Sequence, residues 1–382
     1  MKILFCTHNS QIQGAPLLLL KLSTLLKQKG HNCYFCSKEE GPLNEGLKSN
    51  GIEFCINSGL YLPAGIGNHP IHSILKEAKP DIVFVNTILG DPIIREIKNF
   101  NPKIKVIWLI HESDRSHIME SFLYLTNKGF SISDAVVFVS EMTKHVYEDL
   151  NTDNFHVINN GISVDEIDKY KKHSSKEAVR NKHRIPTDAL VITTIGSMVP
   201  RKGQREFVES GIRLLRENKS SKNIHFVLVG EMRPTQMIEI NTALSIAKAE
   251  GIRNRFHFFS ETTEIFDFFF LSDIFVCNSF IESFPLVILE AMVFGLPIIA
   301  PDIYGIKEQI EDNKSGLLFL PGNRKMLTGL MNKLINDPNL AATLGINAYK
   351  RVTEYFASPQ MLLKYEELME NLMKKDLTAI NP

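Results

Sequence analysis

The sequence has no surplus of charge: 43 Lys and Arg balance 43 Asp and Glu over 382 residues. Without a global basic field, nucleic acid is not an expected partner, although a local basic or membrane-contacting patch stays open. Long apolar runs are also missing. Nothing approaches the roughly 20 residues a membrane span needs, and the opening run Met1-Lys2-Ile3-Leu4-Phe5-Cys6 is too short for the apolar core of a signal peptide. A cytoplasmic chain is the expectation. Cysteines number only five. Cys33 and Cys36 form the one Cys-x-x-Cys, in a segment patterned as a strand, where an i, i+3 pair points to opposite faces; no second pair completes a zinc site, so reduced, structural thiols are expected. Asp-x-Asp, a common way of holding a metal ion on a diphosphate, is absent.

What is present is length and alternation. The chain exceeds the usual size of one core, so two domains are expected. Short apolar runs at 3–6, 32–36, 52–56, 82–85, 106–110, 135–139 and 156–158 pattern as strands, with helical patterns such as 16–29 and 43–50 between several of them. After a polar, charged stretch at 161–186, taken as a solvated linker helix, the alternation restarts. Strands are expected at 190–195, 224–229, 256–259, 274–277, 297–300 and 316–319, with helices that include 204–218, 235–250 and 265–270. Residues 323–375 are helical by pattern, with a break at Ser358-Pro359. Such alternation predicts parallel sheets covered by helices, in two doubly wound α/β halves.

The stretch 277–302 stands out. Leu286 to Phe294 holds nine residues of which only Glu290 is polar, and Gly295-Leu296-Pro297 stops it. A buried helix is expected there, so its single carboxylate needs a partner or a hydroxylated ligand. Glu282 precedes the helix start, where Ser283 can cap and N–H groups can face a phosphate. The stretch therefore patterns as a pocket for something hydroxylated and anionic.

Glu282 and Glu290, with seven residues between them in ESFPLVILEAMVFGLPIIA, resemble the EX7E signature of retaining glycosyltransferase family 4. Ser279, Phe284-Pro285, Ala291-Met292 and Gly295-x-Pro297 match the family's usual run. Further matches follow the chain: Gln13-Gly14-Ala15, His111-Glu112, Ser140-Glu141, Asn160-Gly161-Ile162, Gly196 to Gly203, Val229-Gly230 and Asp273. The resemblance implies the GT-B fold, two Rossmann-like domains facing across a cleft. Residues 1–165 would bind acceptor, 166–357 would bind nucleotide-sugar, and 358–382 would return as a helix to the first domain.

It also implies roles. Glu290 would accept from the ribose hydroxyls of a nucleotide diphosphate sugar, Glu282 would hold hydroxyls of the transferred sugar, and backbone N–H groups near Phe284, Pro285 and Leu286 would face sugar and diphosphate. Pro285 itself has none to donate. Lys202 would neutralise the departing diphosphate in place of a metal ion, so no metal or other cofactor is expected. The family's Gly-Arg is here Gly196-Ser197; Arg201 could restore that charge, and the Ser197 hydroxyl could donate one bond. Gly14 would let the ligand approach the backbone. His111, at the carboxyl edge of a strand, would sit near the transferred sugar. The base would lie along 256–259, with His257 offering backbone groups, whereas Phe266 to Phe270 fit core packing better than stacking.

The implied reaction is hexose transfer with retention, by same-face attack in which the departing phosphate takes the acceptor's proton, after closure of the two halves. A non-catalytic GT-B protein, or an epimerase or hydrolase on the same fold, is the alternative. The acceptor, glycan, lipid-linked or small, would bind the first half. Its loops 61–70 and 113–128 carry no motif, and their basic and aromatic residues leave a peripheral membrane contact open.

Overall fold

The computed structural model describes all residues except 66–68, 151, 219–221, 233–236 and 381–382, and the backbone alone over 375–380. The expected segments 61–70 and 235–250 thus fall partly outside the described residues. The chain forms two compact units, Met1–Asn160 with Pro359–Pro382, and Gly161–Ser358.

The first unit is built on β1 (Lys2–Thr7), β2 (Asn32–Ser37), β3 (Glu53–Ile56), β4 (Ile82–Asn86), β5 (Lys105–Ile110), β6 (Ala135–Phe138) and β7 (Phe155–Val157). They pair in parallel in the order β3-β2-β1-β4-β5-β6-β7. The order reverses between β1 and β4, the switch point at which open α/β sheets hold ligands outside the strand carboxyl ends. Alternate residues serve opposite faces: Phe5, Phe35 and Phe84 enter one core, while Cys6, Val85 and Trp108 enter the other. Cys33 and Cys36 divide in the same way, which rules out a joint zinc site.

The last helix, Ser358–Ile380, adds Met361, Leu362, Tyr365, Leu368, Met369 and Leu372 to the first of these cores. Tyr365 meets Phe84 edge-on at 5.9 Å. Each fully buried side chain of this kind contributes about 1.5–3 kcal/mol.

The second unit repeats the plan with β8 (Leu190–Ile195), β9 (Ile224–Val229), β10 (Phe256–Phe259), β11 (Ile274–Val276), β12 (Ile298–Pro301) and β13 (Leu317–Phe319). Their order is β10-β9-β8-β11-β12-β13, all parallel, with the switch between β8 and β11.

The charged stretch 161–186 is not a solvated linker. It forms the helices Val164–His173 and Lys176–Lys182, and two charges of the second helix anchor beside the second sheet. Arg180 is buried and donates to the Leu271 carbonyl at 2.9 Å and the Asp273 carboxylate at 2.8 Å, and Lys176 reaches Asp273 at 2.7 Å. Asp273 also accepts the Val191 N–H at 2.8 Å. Composition alone hid this, because the partners lie about ninety residues away.

Candidate functional site

The second unit's polar cluster starts from a glycine. After β8 the chain passes Gly196 and Ser197 into the turn Pro200–Lys202, and Gly203 follows in the left-handed region at φ 68°. A Cβ on Gly203 would lie 2.1 Å from the Asn278 carbonyl oxygen, so only glycine lets the turn dock on the loop after β11. Docking is sealed by the Asn278 amide donating to the Gly203 carbonyl at 2.6 Å and the Phe280 N–H donating to the Arg201 carbonyl at 2.8 Å. Two distant loops thereby hold one geometry. Lys202 Nζ ion-pairs with the Glu282 carboxylate, which also accepts from Ser279 Oγ at 2.8 Å. The two charged side chains are 18% and 11% exposed, so screening by water is limited.

Gly230 closes the same edge from the side. A Cβ there would meet the Gly196 carbonyl oxygen at 2.1 Å, and the Gly230 N–H donates to the Phe259 carbonyl at 3.0 Å. The carboxyl ends of β8, β9 and β10 are thus stitched together.

The helix Leu286–Val293 begins at Pro285, whose own side chain offers no cap. The first-turn N–H groups of Leu286 and Val287 have no carbonyl within the helix to bond, and the helix dipole makes that end favourable to an anion. The helix is not buried all round. Ile288, Leu289, Ala291, Met292 and Val293 are buried, while Leu286, Val287 and Glu290 are half-exposed on one stripe. Burial of Glu290 is therefore corrected: the residue is half-exposed, one turn beyond Leu286 on the same stripe. Phe284 points its ring the other way, against Phe356 at 5.4 Å, and the Pro285 carbonyl accepts from the buried Gln309 at 3.0 Å. Gly305 backs the loop, since a Cβ there would overlap the Ser283 carbonyl oxygen at 1.7 Å.

Arg201 is exposed beside Lys202, with no side-chain ion pair among the described residues. Ser197 is half-exposed at the same turn. His257 lies apart from this group. It is the second residue of β10, paired in register with Val227, and its ring bonds His225 at 2.8 Å rather than approaching the carboxyl edge at Phe259. Burial first, and the Arg253 charge second, hold His257 below the usual imidazole range. Phe266 and Phe270 pack with Tyr170 and Phe294, and Phe268 and Phe269 are buried, as core packing requires.

In the first unit, His111 follows β5 and its Nε2 bonds Asn86 Oδ1 at 2.9 Å. Burial, then the nearby His8, push it down to about 3, so the ring is neutral near pH 7. Burial likewise pushes His8 down to about 4. Glu112 accepts from the N–H groups of Ile88 at 3.1 Å and His111 at 3.0 Å, and burial pushes its carboxyl up to about 7.

Thr87, between Asn86 and Ile88, holds φ 68° and ψ 160°, a conformation that costs a β-branched residue about 1–3 kcal/mol. The Trp108 ring N–H fastens its carbonyl at 2.6 Å. His8, Asn86 and Thr87 carried no motif in the sequence; they join this cluster because β1, β4 and β5 are neighbours. Gly14 begins the helix Gly14–Gln28, exposed, with open space where a Cβ would stand.

Among the described residues, no cluster of three or more His, Cys, Asp or Glu is arranged to hold a metal ion, and no helix is long and apolar enough to cross a membrane.

The sequence pattern described as Glycosyltransferase Family 4 matches residues 12–166, and that described as Glycosyl transferases group 1 matches residues 175–351. The chain belongs to glycosyltransferase family 4. Among relatives, it is similar to the capsular polysaccharide biosynthesis glycosyltransferase CapM of Staphylococcus aureus, 25% identical over 66% of this chain and 66% of that one. It is also similar to N-acetyl-alpha-D-glucosaminyl L-malate synthase of Bacillus anthracis, 24% identical over 72% of this chain and 70% of that one. The chain thus spans about two-thirds of the length of these relatives. Among solved structures it resembles Anabaena HepE in complex with UDP and glucose, with TM-score 0.84 and 19% identity over 97% of this chain and 100% of HepE. A glycosyltransferase from Rickettsia africae gives TM-score 0.76 and 20% identity over 97% and 98%. The fold is GT-B.

Proposed function

We propose that this chain transfers a hexose-type sugar from a nucleotide diphosphate sugar, UDP- or GDP-linked, to a glycan, lipid-linked or small-molecule acceptor, with retention and without a metal ion. The observation that supports this most is Lys202, fixed by the Gly203–Asn278 contact against the glutamate loop at the carboxyl edge of the second sheet. The donor lies on that edge, its diphosphate at the start of the helix Leu286–Val293. Lys202 exchanges Glu282 for the diphosphate, and the released Glu282 carboxylate accepts from hydroxyls of the transferred sugar. Glu290, on the open stripe, accepts from the ribose hydroxyls. Arg201 and Ser197 flank the phosphates, and backbone groups of β10 meet the base.

Transfer breaks the bond from the anomeric carbon to the phosphate oxygen and forms the acceptor bond on the same face. The acceptor's proton passes to the departing phosphate, whose growing charge Lys202 stabilises. His111 orients rather than takes that proton, because a ring held near 3 is a poor base at neutral pH. The acceptor binds the first unit, which carries Glu112 after β5 and Gly14 in the segment after β1. Synthesis of a cell-surface polysaccharide or glycoconjugate is the proposed setting, by analogy with CapM.

HepE was solved with UDP and with UDP-glucose, which makes uridine donors the first to test. The experiment is a panel of UDP-, GDP- and ADP-sugars in the presence of a chelator. Slow hydrolysis of one donor, with retention in the presence of an acceptor, is expected; no binding of any nucleotide overturns the proposal.

A further inference from the structure

Three thiols lie side by side across the first sheet. Parallel register sets Cys6 opposite Cys36 and Cys36 opposite Cys55, so all three project from one face. Of these, Cys36 and Cys55 are in contact, with sulfurs 3.1 Å apart. Cys36 is buried within the sheet, whereas Cys55 is half-exposed on β3, the edge strand. Adjacent strands are about 4.7–4.9 Å apart, within the Cα separation of about 4.4–6.8 Å that a disulfide tolerates. Closing the bond to about 2.05 Å therefore needs a small rotation of the side chains and no separation of the strands.

The two thiols are not equivalent. The bond from Cys36 lowers the Cys55 pKa against the opposing effect of burial, and the Tyr34 hydroxyl adds to the lowering. The same bond, with burial, raises Cys36. Access and charge thus both favour Cys55 as the attacking sulfur.

We propose that Cys36 and Cys55 form a reversible dithiol–disulfide site for low-molecular-weight disulfides, in which Cys55 attacks and Cys36 resolves. The Cys55 thiolate attacks one sulfur of the small disulfide, forming a mixed disulfide and releasing one small thiolate. The Cys36 sulfur then attacks Cys55, loses its proton and expels the second. Two electrons pass from the cysteines to one small disulfide, which leaves as two thiols carrying both protons. The new bond ties the edge strand β3 to β2 one residue before Ser37, whose hydroxyl receives that of Ser10 at 2.8 Å. This inference is independent of the proposed transferase activity.

The test is to equilibrate the full chain with oxidised glutathione, trap the remaining thiols by alkylation and map the peptides. The chain is expected to lose two of its five thiols, with Cys36 linked to Cys55, and dithiothreitol is expected to restore them. Cys36→Ser should accumulate glutathione on Cys55, because no resolving sulfur remains, while Cys55→Ser should keep its remaining thiols. Retention of all five thiols, a Cys6–Cys36 link, or glutathione settling on Cys36 in preference to Cys55 overturns the proposal. If a serine variant fails to fold, mapping of the unaltered chain still decides.

Discussion

At the carboxyl edge of β8 and β11 the polar side chains carry charge and are paired, Lys202 against Glu282 with Ser279 behind them. At the carboxyl edge of β4 and β5 burial removes charge instead, holding His8 and His111 neutral and raising Glu112. One plan of sheet thus yields two chemistries. A paired cation with its own carboxylate can exchange that carboxylate for a diphosphate, while a cluster whose charge burial disfavours suits the uncharged hydroxyls of a sugar. Glycine also differs between the two. Gly203 is required by contact and conformation, and Gly14 stands in open space.

The sharpest way to break this contrast is Lys202→Ala. On the proposed function it removes the side chain that stabilises the departing charge, and turnover should fall by about 100- to 1,000-fold with a smaller change in donor affinity. Steady-state kinetics with the preferred nucleotide sugar will show whether kcat, rather than KM, carries the loss.

Gly203→Ala strikes the docking of the turn instead of its charge. Its Cβ has no room beside the Asn278 carbonyl, and the left-handed backbone adds strain, so stability should drop by about 1–3 kcal/mol in urea unfolding. Gly14→Ala, by contrast, should leave stability unchanged or raise it by up to about 1 kcal/mol. Equal losses at the two glycines would erase the distinction drawn between them.

Glu290→Gln keeps the shape and removes the charge. Donor affinity measured by calorimetry should weaken by about 10- to 100-fold, as for a hydrogen bond to an ionised group, with the melting temperature nearly unchanged. Unaltered affinity would remove Glu290 from the ribose site.

The smallest effect is in the pH dependence of the first unit. His8 and His111 titrate lower in the fold than their ordinary 6.5, so below about 6.5 the unfolded chain binds protons the fold refuses, and stability falls with acid. Glu112 acts oppositely. It ionises near 4.5 when unfolded and about 7 in the fold, so its contribution falls as pH rises between those values. Glu112→Gln deletes the opposing contribution, and the acid loss between pH 6.5 and 4.5 should steepen by up to about 1.4 kcal/mol per pH unit. An unchanged slope in urea titrations would mean that Glu112 is not held neutral.

Much of this was legible in the sequence because it rests on local periodicity. β8 and β10 fall at the expected residues, and the glutamate stretch forms a loop and helix where its apolar run and Gly-x-Pro stop place them. What escaped depends on neighbours distant in the chain. Apolar composition suggested that the whole of Leu286–Val293 was covered, but Leu286, Val287 and Glu290 are only half-buried. The ring of His257 is bonded to His225 on β9, a pairing set by strand order, while the role expected of its backbone groups does not depend on that ring. Thr87 gave no signal because the groups that bond the backbone around it, Trp108 on β5 and Glu112 just after it, lie more than twenty residues away.

The helix Ser358–Ile380 has a consequence for synthesis. The second unit is continuous in sequence and can gather its core as soon as it has left the ribosome, while the first unit, though made earlier, lacks six of its core side chains until that helix appears about two hundred residues later. The earlier-born sheet must therefore wait with part of one apolar face uncovered, exposed to aggregation or chaperones, while its younger neighbour folds.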